Sequence, residues 1–160
     1  MIVVQRRVNA SPELVFAVLS NGWLYPSWVV GASRMRDVDS TWPALGSRLH
    51  HSVGIWPVLL NDSTRVLLCD PPKRLVLQAR GWPVGEATID IRLEQEAAGC
   101  LVTMLEDATQ GPGRFIPRPL RQMAIQPRNR ETLNRLAFLS EGQAVDPVAP
   151  RRRDSSRRQA

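Results

Sequence analysis

The chain has 160 residues, of which 43% are apolar and 22% are charged, a composition typical of one soluble domain with its own core. Its apolar runs fall well short of the roughly 20 residues that cross a bilayer. The N-terminal sequence MIVVQRRVNASPE also has the wrong order and length for a secretory signal peptide. The sequence therefore predicts a cytoplasmic protein without a transmembrane segment.

Most of the net charge of +6 lies at the C-terminus. Residues 147–160 contain five arginines and one aspartate, a net charge of +4, which leaves +2 for residues 1–146. The sequence predicts a disordered arginine-rich tail over residues 142–160. Such a tail is either simply solvated or makes weak, nonspecific contact with an anionic surface such as RNA, DNA or lipid. Specific nucleic-acid binding is not predicted.

The first third of the chain predicts one strand and two helical segments. MIVVQRRV is typical of a β-strand. Ser11 and Pro12 then have the types expected at a helix N-cap and at the first helical position, and Gly22 is expected to end this helix. WLYPSWVVG predicts a second short helical turn, broken at Pro26 and closed by Gly31.

The middle of the chain predicts a run of strands joined mainly by short turns. Its segments are SRMRDVDS, SRLHHSVGI, STRVLLCD, RLVLQARG, GEATIDIRLEQE and CLVTMLEDA. Asn61-Asp62 and Pro71-Pro72-Lys73 are interpreted as turns. Apolar residues alternate with polar ones in GEATIDIRLEQE, which favours an antiparallel sheet with one face in water. We expect the first strand to pair across the far edge of this sheet.

After the glycine- and proline-rich segment TQGPGRFIPRP, the sequence predicts a long helix from about Pro119 to Glu141. Pro127 is expected to kink this helix or to split it in two. The order of elements is therefore one strand, two short helices, about six further strands and a long C-terminal helix.

The opening segment resembles the polyketide cyclase/dehydrase and lipid-transport proteins of the START/Bet v 1-like (SRPBCC) superfamily. The resemblance rests on Ala10-Ser11-Pro12-Glu13, Val15-Phe16, Leu19-Ser20, and Tyr25-Pro26-Ser27-Trp28 followed by Gly31, and on the strand–turn–strand segment LLCDPPKRLVLQA. It implies an α+β helix-grip fold over residues 1–141, in which a curved antiparallel sheet of about seven strands wraps around the long helix. It also implies an apolar cavity that holds lipids, sterols, polyketides or similar molecules, and a minority of such proteins carry out chemistry there.

The chain's two histidines, His50 and His51, are adjacent on one predicted strand. Because neighbouring strand residues point to opposite faces, they cannot form a paired site. Alternation places Leu49, His51 and Val53 on the cavity face, where His51 would be a satisfied wall residue, a ligand anchor or a general acid/base. By the same alternation Val102, Met104 and Glu106 share that face, so Glu106 is either a water-exposed residue at the cavity rim or the second candidate for proton transfer. A register shifted by one residue would instead turn Leu101, Thr103 and Leu105 inward.

Further candidates for ligand contact are large or charged residues expected near the cavity. Trp42, Trp56 and Trp82 each precede a proline in a predicted loop, where an indole can line a cavity mouth. The full set of predicted ligand-binding residues is Trp42, His51, Trp56, Trp82, Ile89, Ile91, Met104, Arg118 and Met123.

Five arginines, Arg114, Arg118, Arg121, Arg128 and Arg130, lie in a stretch without acidic residues. They are interpreted as the solvated outer face of the last helix. Alternatively, Arg114 or Arg118 guards the cavity entrance and attracts a carboxylate or phosphate group.

The sequence indicates no metal site and no cofactor. Cys69 and Cys100 are far apart and lack further ligands nearby, and the chain contains no phosphate-binding loop or serine nucleophile elbow. The first functional hypothesis is a protein that binds a small hydrophobic molecule, lipid-like or similar to an aromatic polyketide. The alternative is an aromatic-polyketide cyclase/dehydratase that uses His51 or Glu106. The sequence does not indicate which oligomeric state the protein adopts.

Overall fold

The structure is a computed structural model that describes residues 1–55, 58–81, 85–111, 115 and 117–145. The elements are β1 (Ile2–Val8), α1 (Pro12–Ser20), α2 (Tyr25–Trp28), β2 (Ala32–Val38), β3 (Arg48–Ile55), β4 (Val58–Asp70), β5 (Arg74–Gly81), β6 (Gly85–Glu96), β7 (Gly99–Gln110) and α3 (Arg118–Val145), with a 3-10 turn at Gly22–Leu24. None of the described helices combines the length and the hydrophobicity that a membrane crossing requires.

The strands form one seven-stranded antiparallel sheet in the order β1-β7-β6-β5-β4-β3-β2. Consecutive strands from β2 to β7 are neighbours, as short turns allow, and β1 pairs with β7 at the far edge. Register shifts in the β2–β3, β4–β5 and β6–β7 pairs provide the bulges that bend a sheet. Helix α3 packs mainly on β1, α1 and α2. The predicted helix-grip fold is therefore confirmed.

Helix α1 begins as the sequence predicts. The Ser11 hydroxyl accepts a hydrogen bond from the Leu14 N–H at 3.4 Å, and Pro12 occupies the first turn, where its missing N–H leaves no bond unmade. The helix ends at Ser20, and Gly22 belongs to the 3-10 turn that follows.

The predicted turn at Asn61-Asp62 is wrong. Both residues lie within β4, where Asn61 is opposite Ser52 and Asp62 is opposite His51. The Ser52 hydroxyl donates a hydrogen bond to the Asn61 side-chain oxygen at 3.2 Å. The Asp62 side chain accepts instead from the Ser63 N–H of its own strand at 2.6 Å. These turn-forming residue types are therefore accommodated in a strand because their side-chain oxygens have hydrogen-bond donors there.

The structure decides how two prolines act on the predicted helices. Pro26 lies in the first turn of α2 and so begins that helix instead of breaking it. Pro127 lies inside α3, which continues through it, so the predicted split into two helices does not occur. A proline lacks the N–H that would bond to the carbonyl four residues earlier, so the helix is locally one hydrogen bond short there.

The core lies between the concave face of the sheet and the C-terminal half of α3. This half contributes the buried residues Leu133, Leu136 and Ala137, whereas Leu120 and Met123 in the N-terminal half are largely exposed. The predicted tail begins at residue 142, but α3 continues to Val145, and residues 146–160 lie outside the described residues. The two halves of α3 thus differ in packing, and the space near the less packed half forms the site described next.

Candidate functional site

A cavity of about 370 Å³ lies between the sheet, the α2–β2 segment and α3. Most of its wall is apolar, built from Trp28 and the α2–β2 connection on one side and from inward-facing strand residues on the other. The strand residues are Val53, Leu77, Ala79, Ala87, Ile89, Met104 and Ala108, and α3 adds Ile125. Among the described residues, polar side chains interrupt this wall in four places, the smallest of which is Thr132, whose hydroxyl accepts a hydrogen bond from the Val30 N–H at 3.2 Å.

The first polar position is His51 on β3. Its side chain lines the cavity and is buried, as the predicted alternation with Leu49 and Val53 requires. His50 is half-buried on the opposite face. The structure therefore separates the two histidines as the sequence predicts.

His51 belongs to a buried chain of hydrogen-bonding groups. Its Nε2 lies 3.0 Å from the Thr64 hydroxyl, and the same hydroxyl lies 3.1 Å from the Tyr25 phenol oxygen. The imidazole and phenol rings also pack together, with their centroids 5.1 Å apart. Side chains from β3 and from the short helix α2 thus converge on Thr64 of β4.

Burial keeps the two titratable members of this chain neutral. Desolvation, with smaller contributions from Arg36 and His50, lowers the pKa of His51 to about 4. Desolvation likewise raises the pKa of Tyr25 to about 12, against the effect of its hydrogen bond to Thr64. At neutral pH the hydrogen-bonded chain His51–Thr64–Tyr25 therefore carries no charge.

Two ring nitrogens in the same part of the wall have no hydrogen-bond partner within the described residues. They are Nδ1 of His51 and Nε1 of Trp28, and both atoms are buried. The Trp28 ring packs edge-on against Tyr25 at a centroid distance of 5.3 Å. Unpaired buried polar atoms are uncommon, so this aromatic wall retains unused hydrogen-bonding capacity.

The second polar position is Glu106 on β7. It faces inward with Val102 and Met104, as the predicted register requires, and its side chain is only 6% exposed. Nη2 of Arg128 lies 2.5 and 2.6 Å from the two carboxylate oxygens, and the Asn129 amide donates to Oε2 at 2.7 Å. Both oxygens of Glu106 are therefore occupied by partners from α3.

The third polar position is formed by Arg80 and Glu86, where β5 and β6 line the cavity. Arg80 Nε donates to Glu86 Oε1 at 3.1 Å, and the Gln78 amide donates to Oε2 at 2.6 Å. Arg80 is largely exposed, so this pair lies where the cavity wall meets solvent. Its two charges compensate each other.

Ile89, Met104, His51 and Glu106 are the predicted site residues that the structure brings together around the cavity. Ile91 shares their face but is fully buried in the core and does not line the cavity.

Trp42 and Met123 do not line the cavity. The half-buried Trp42 lies in a surface groove, and its indole N–H donates to the Leu19 carbonyl at 3.2 Å, so it packs against the end of α1 instead of the cavity mouth. Met123 is 76% exposed on the outer side of α3.

The remaining predicted contacts are not placed by the structure. Trp56, Trp82 and Arg114 lie outside the described residues, and Arg118 begins α3 with a side chain that is also outside the description.

Several residues that contribute to the polar part of the site were missed as such by sequence reasoning, among them Arg80 and Glu86, which were not singled out. Tyr25 and Thr64 were treated as scaffold and strand positions, Asn129 was not singled out, and Arg128 was assigned to a solvated helix face. The adjacent polar pair Arg128-Asn129 carried a weak signal, because it interrupts the apolar stripe of a helix that was expected to contact the cavity.

Metal-binding geometry is not found in the described part of the chain, where no three His, Cys, Asp or Glu side chains come together in a group that could hold an ion. Cys69 and Cys100 are free thiols, and burial raises the pKa of the Cys100 thiol to about 11. At neutral pH this thiol is protonated and poorly nucleophilic.

The fold and the cavity define a helix-grip protein with an internal space of ligand size. Residues 1–141 match the family model described as polyketide cyclase / dehydrase and lipid transport. The chain therefore belongs to this family. A comparison with curated proteins finds no match.

Solved structures support the same fold at low sequence identity. A protein from Nitrosomonas europaea is 19% identical with a TM-score of 0.70, and the match covers 90% of this chain and 96% of that one. A protein from Rhodobacter sphaeroides is 22% identical with a TM-score of 0.68, over 88% and 91% of the two chains. The di-domain ARO/CYC StfQ from the steffimycin biosynthetic pathway is 11% identical with a TM-score of 0.71, over 90% of this chain and 51% of that one.

Proposed function

We propose that the protein binds a small hydrophobic molecule, lipid-like or similar to an aromatic polyketide, in the cavity between the sheet and α3. The observation that carries this proposal is a cavity of about 370 Å³ with a mainly apolar wall and a few polar groups. Ligand sites of proteins have this character, with volumes of about 300–1,000 Å³. Membership of a family described by polyketide and lipid chemistry supports the same function.

The cavity volume limits the size of the ligand. A cavity of about 150 Å³ can hold benzene, so about 370 Å³ leaves room for two to three aromatic rings or a short acyl chain. Each Å² of apolar ligand surface removed from water contributes about 25 cal/mol, before the cost of association. Affinity therefore comes mainly from the apolar wall.

The second candidate function is an aromatic-polyketide cyclase/dehydratase. One observation favours it, since His51, Thr64 and Tyr25 form a hydrogen-bonded chain at the cavity wall. The chemistry of the candidates favours binding instead. A pKa of about 4 makes His51 a weak base at neutral pH, and Glu106 already accepts hydrogen bonds from Arg128 and Asn129.

The binding proposal is tested by filling the cavity. Ala87 lines it on β6, so Ala87→Phe places an aromatic ring in the space that a ligand would occupy. The neutral dye N-phenylnaphthylamine should bind the wild-type protein saturably with increased fluorescence, and Ala87→Phe should abolish this binding. Ala97→Trp, at an exposed turn position, is the matched control and should bind the dye normally.

Circular dichroism and thermal unfolding would establish that Ala87→Phe is folded. Equal dye binding by the folded Ala87→Phe variant would place the binding site elsewhere, and a wild-type protein that binds no apolar probe would refute the proposal. The cyclase alternative predicts that His51→Ala or Glu106→Ala abolishes turnover of a polyketide substrate while dye binding persists.

A further inference from the structure

The charged groups of the cavity wall are compensated in pairs. Among the described lining residues the charged side chains are Arg80, Glu86, Glu106 and Arg128. Arg80 is paired with Glu86, and Arg128 with Glu106. A ligand with a net charge would therefore meet no uncompensated opposite charge on the described wall.

The two partners of the Glu106–Arg128 pair differ in their exposure to solvent. Glu106 is the buried partner, whereas the Arg128 side chain is 42% exposed and reaches the carboxylate from α3. Arginine is the side chain best suited to bind a carboxylate, because its planar guanidinium presents several donors together. In this protein Nη2 of Arg128 donates to both carboxylate oxygens of Glu106, and Nε and Nη2 also donate to Oδ1 of Asn129 at 3.3 Å.

Asn129 strengthens this arrangement. It is buried, and its amide donates to Glu106 Oε2 at 2.7 Å, so arginine and asparagine together surround one carboxylate with donors. If the Glu106 carboxylate were absent, the same donors would form a ready site for the carboxylate of a ligand. Selectivity against a competing ligand is commonly achieved by such a built-in charge.

We propose that Glu106 is a specificity-determining residue that excludes anionic ligands by occupying Arg128 and Asn129. The inference rests on the proposed binding function and deepens it, because it assigns the ligand to the class of neutral, predominantly apolar molecules. Free fatty acids and aromatic carboxylates are disfavoured, while phenols, ketones and esters are accepted. The neutral state of the His51–Thr64–Tyr25 chain agrees with this class.

The experiment measures displacement of N-phenylnaphthylamine by two probes of similar shape, neutral 2-naphthol and anionic 2-naphthoate, at pH 7. In the wild-type protein, 2-naphthol should bind at least about tenfold more tightly than 2-naphthoate, the size of one hydrogen bond to a charged group. In Glu106→Ala the affinity for 2-naphthoate should rise at least about tenfold, since its carboxylate replaces that of the missing side chain. Affinity for 2-naphthol should change little.

Three further variants exclude a purely structural role for the pair. Glu106→Gln keeps the size of the side chain and should also favour 2-naphthoate, so the test does not depend on a variant with a void. The double variant Glu106→Ala, Arg128→Gln should lose the gain, because the cation is gone. Glu131→Ala removes the acidic partner of an exposed pair with Arg135 and should leave probe selectivity unchanged.

The outcomes separate this inference from the proposed function. Dye and 2-naphthol binding without any gain of 2-naphthoate affinity in Glu106→Ala and Glu106→Gln would overturn the inference and leave the binding function intact. Equal wild-type affinity for the two probes would also overturn it. Failure of the wild-type protein to bind the dye and 2-naphthol would instead refute the proposed function.

Discussion

Acidification should destabilise the protein through His51. The folded chain holds the pKa of this imidazole at about 4 because the ring is removed from water, whereas the unfolded chain returns it to the ordinary value of 6.5. Below pH 6.5 the unfolded state therefore binds a proton that the folded state does not. Above pH 6.5 His51 is neutral in both states and does not reduce the unfolding free energy. As the pH falls from 6.5 toward 4, the unfolding free energy decreases.

The size of the effect follows from the two pKa values. At about 1.4 kcal/mol per pH unit, the difference between 6.5 and about 4 corresponds to roughly 3 kcal/mol of unfolding free energy. His51 is only 3% exposed, so solvent screening reduces this value little. Since domains of this size unfold with about 5–15 kcal/mol, the change is a large fraction of the total.

The assay is urea unfolding between pH 7.5 and pH 4.5 for the wild-type protein, His51→Gln and His50→Gln. Glutamine cannot titrate but can still hydrogen-bond to Thr64, so His51→Gln should lose stability less steeply as the pH falls. His50→Gln, the matched control, removes only one of the smaller contributions to the lowered pKa of His51 and should stay close to the wild-type slope. Burial raises the pKa of Asp62, which acts in the opposite direction, so the difference between variants is the informative quantity.

Proton NMR gives an independent and decisive measurement. The chain has two histidines, so His50→Gln leaves a single imidazole to titrate. A midpoint near 6.5 for that imidazole in the folded protein, or equal pH slopes for the wild-type protein and His51→Gln, would refute the argument from burial.

Two further predictions concern the core and the aromatic wall. Tyr25 is the chain's one tyrosine, so phenolate absorbance should remain low at about pH 11 in the folded protein and rise on unfolding in urea. Full ionisation of Tyr25 in the folded protein near pH 10 would contradict the burial of its phenol. Ile91→Ala should lower the unfolding free energy by about 2–5 kcal/mol because this side chain is fully buried, whereas Met123→Ala on the exposed side of α3 should change it by less than about 0.5 kcal/mol. Similar losses in urea unfolding for these two variants would contradict the assignment of the two positions.

Local sequence patterns predicted the elements that depend on local chemistry. The Ser11 cap, the alternating strands and the inward faces of β3 and β7 follow from hydrogen bonding within a turn and from the two-residue period of a strand. The Asn61-Asp62 prediction was wrong because the partner strand β3, and not the residue types alone, decides whether the backbone extends there. Pro26 shows a related limit, since a proline that breaks a helix interior also fits a helix start.

The sequence by itself thus determined the order of the elements and which faces of the strands point inward. Only the tertiary structure decided what those inward side chains meet. Glu106 is satisfied by Arg128 and Asn129 from a distant helix, and His51 reaches Tyr25 through Thr64, because folding brings together groups whose spacing in sequence carries no periodic signal. The same packing left a cavity of about 370 Å³, which results from the distance between sheet and helix and not from any single residue.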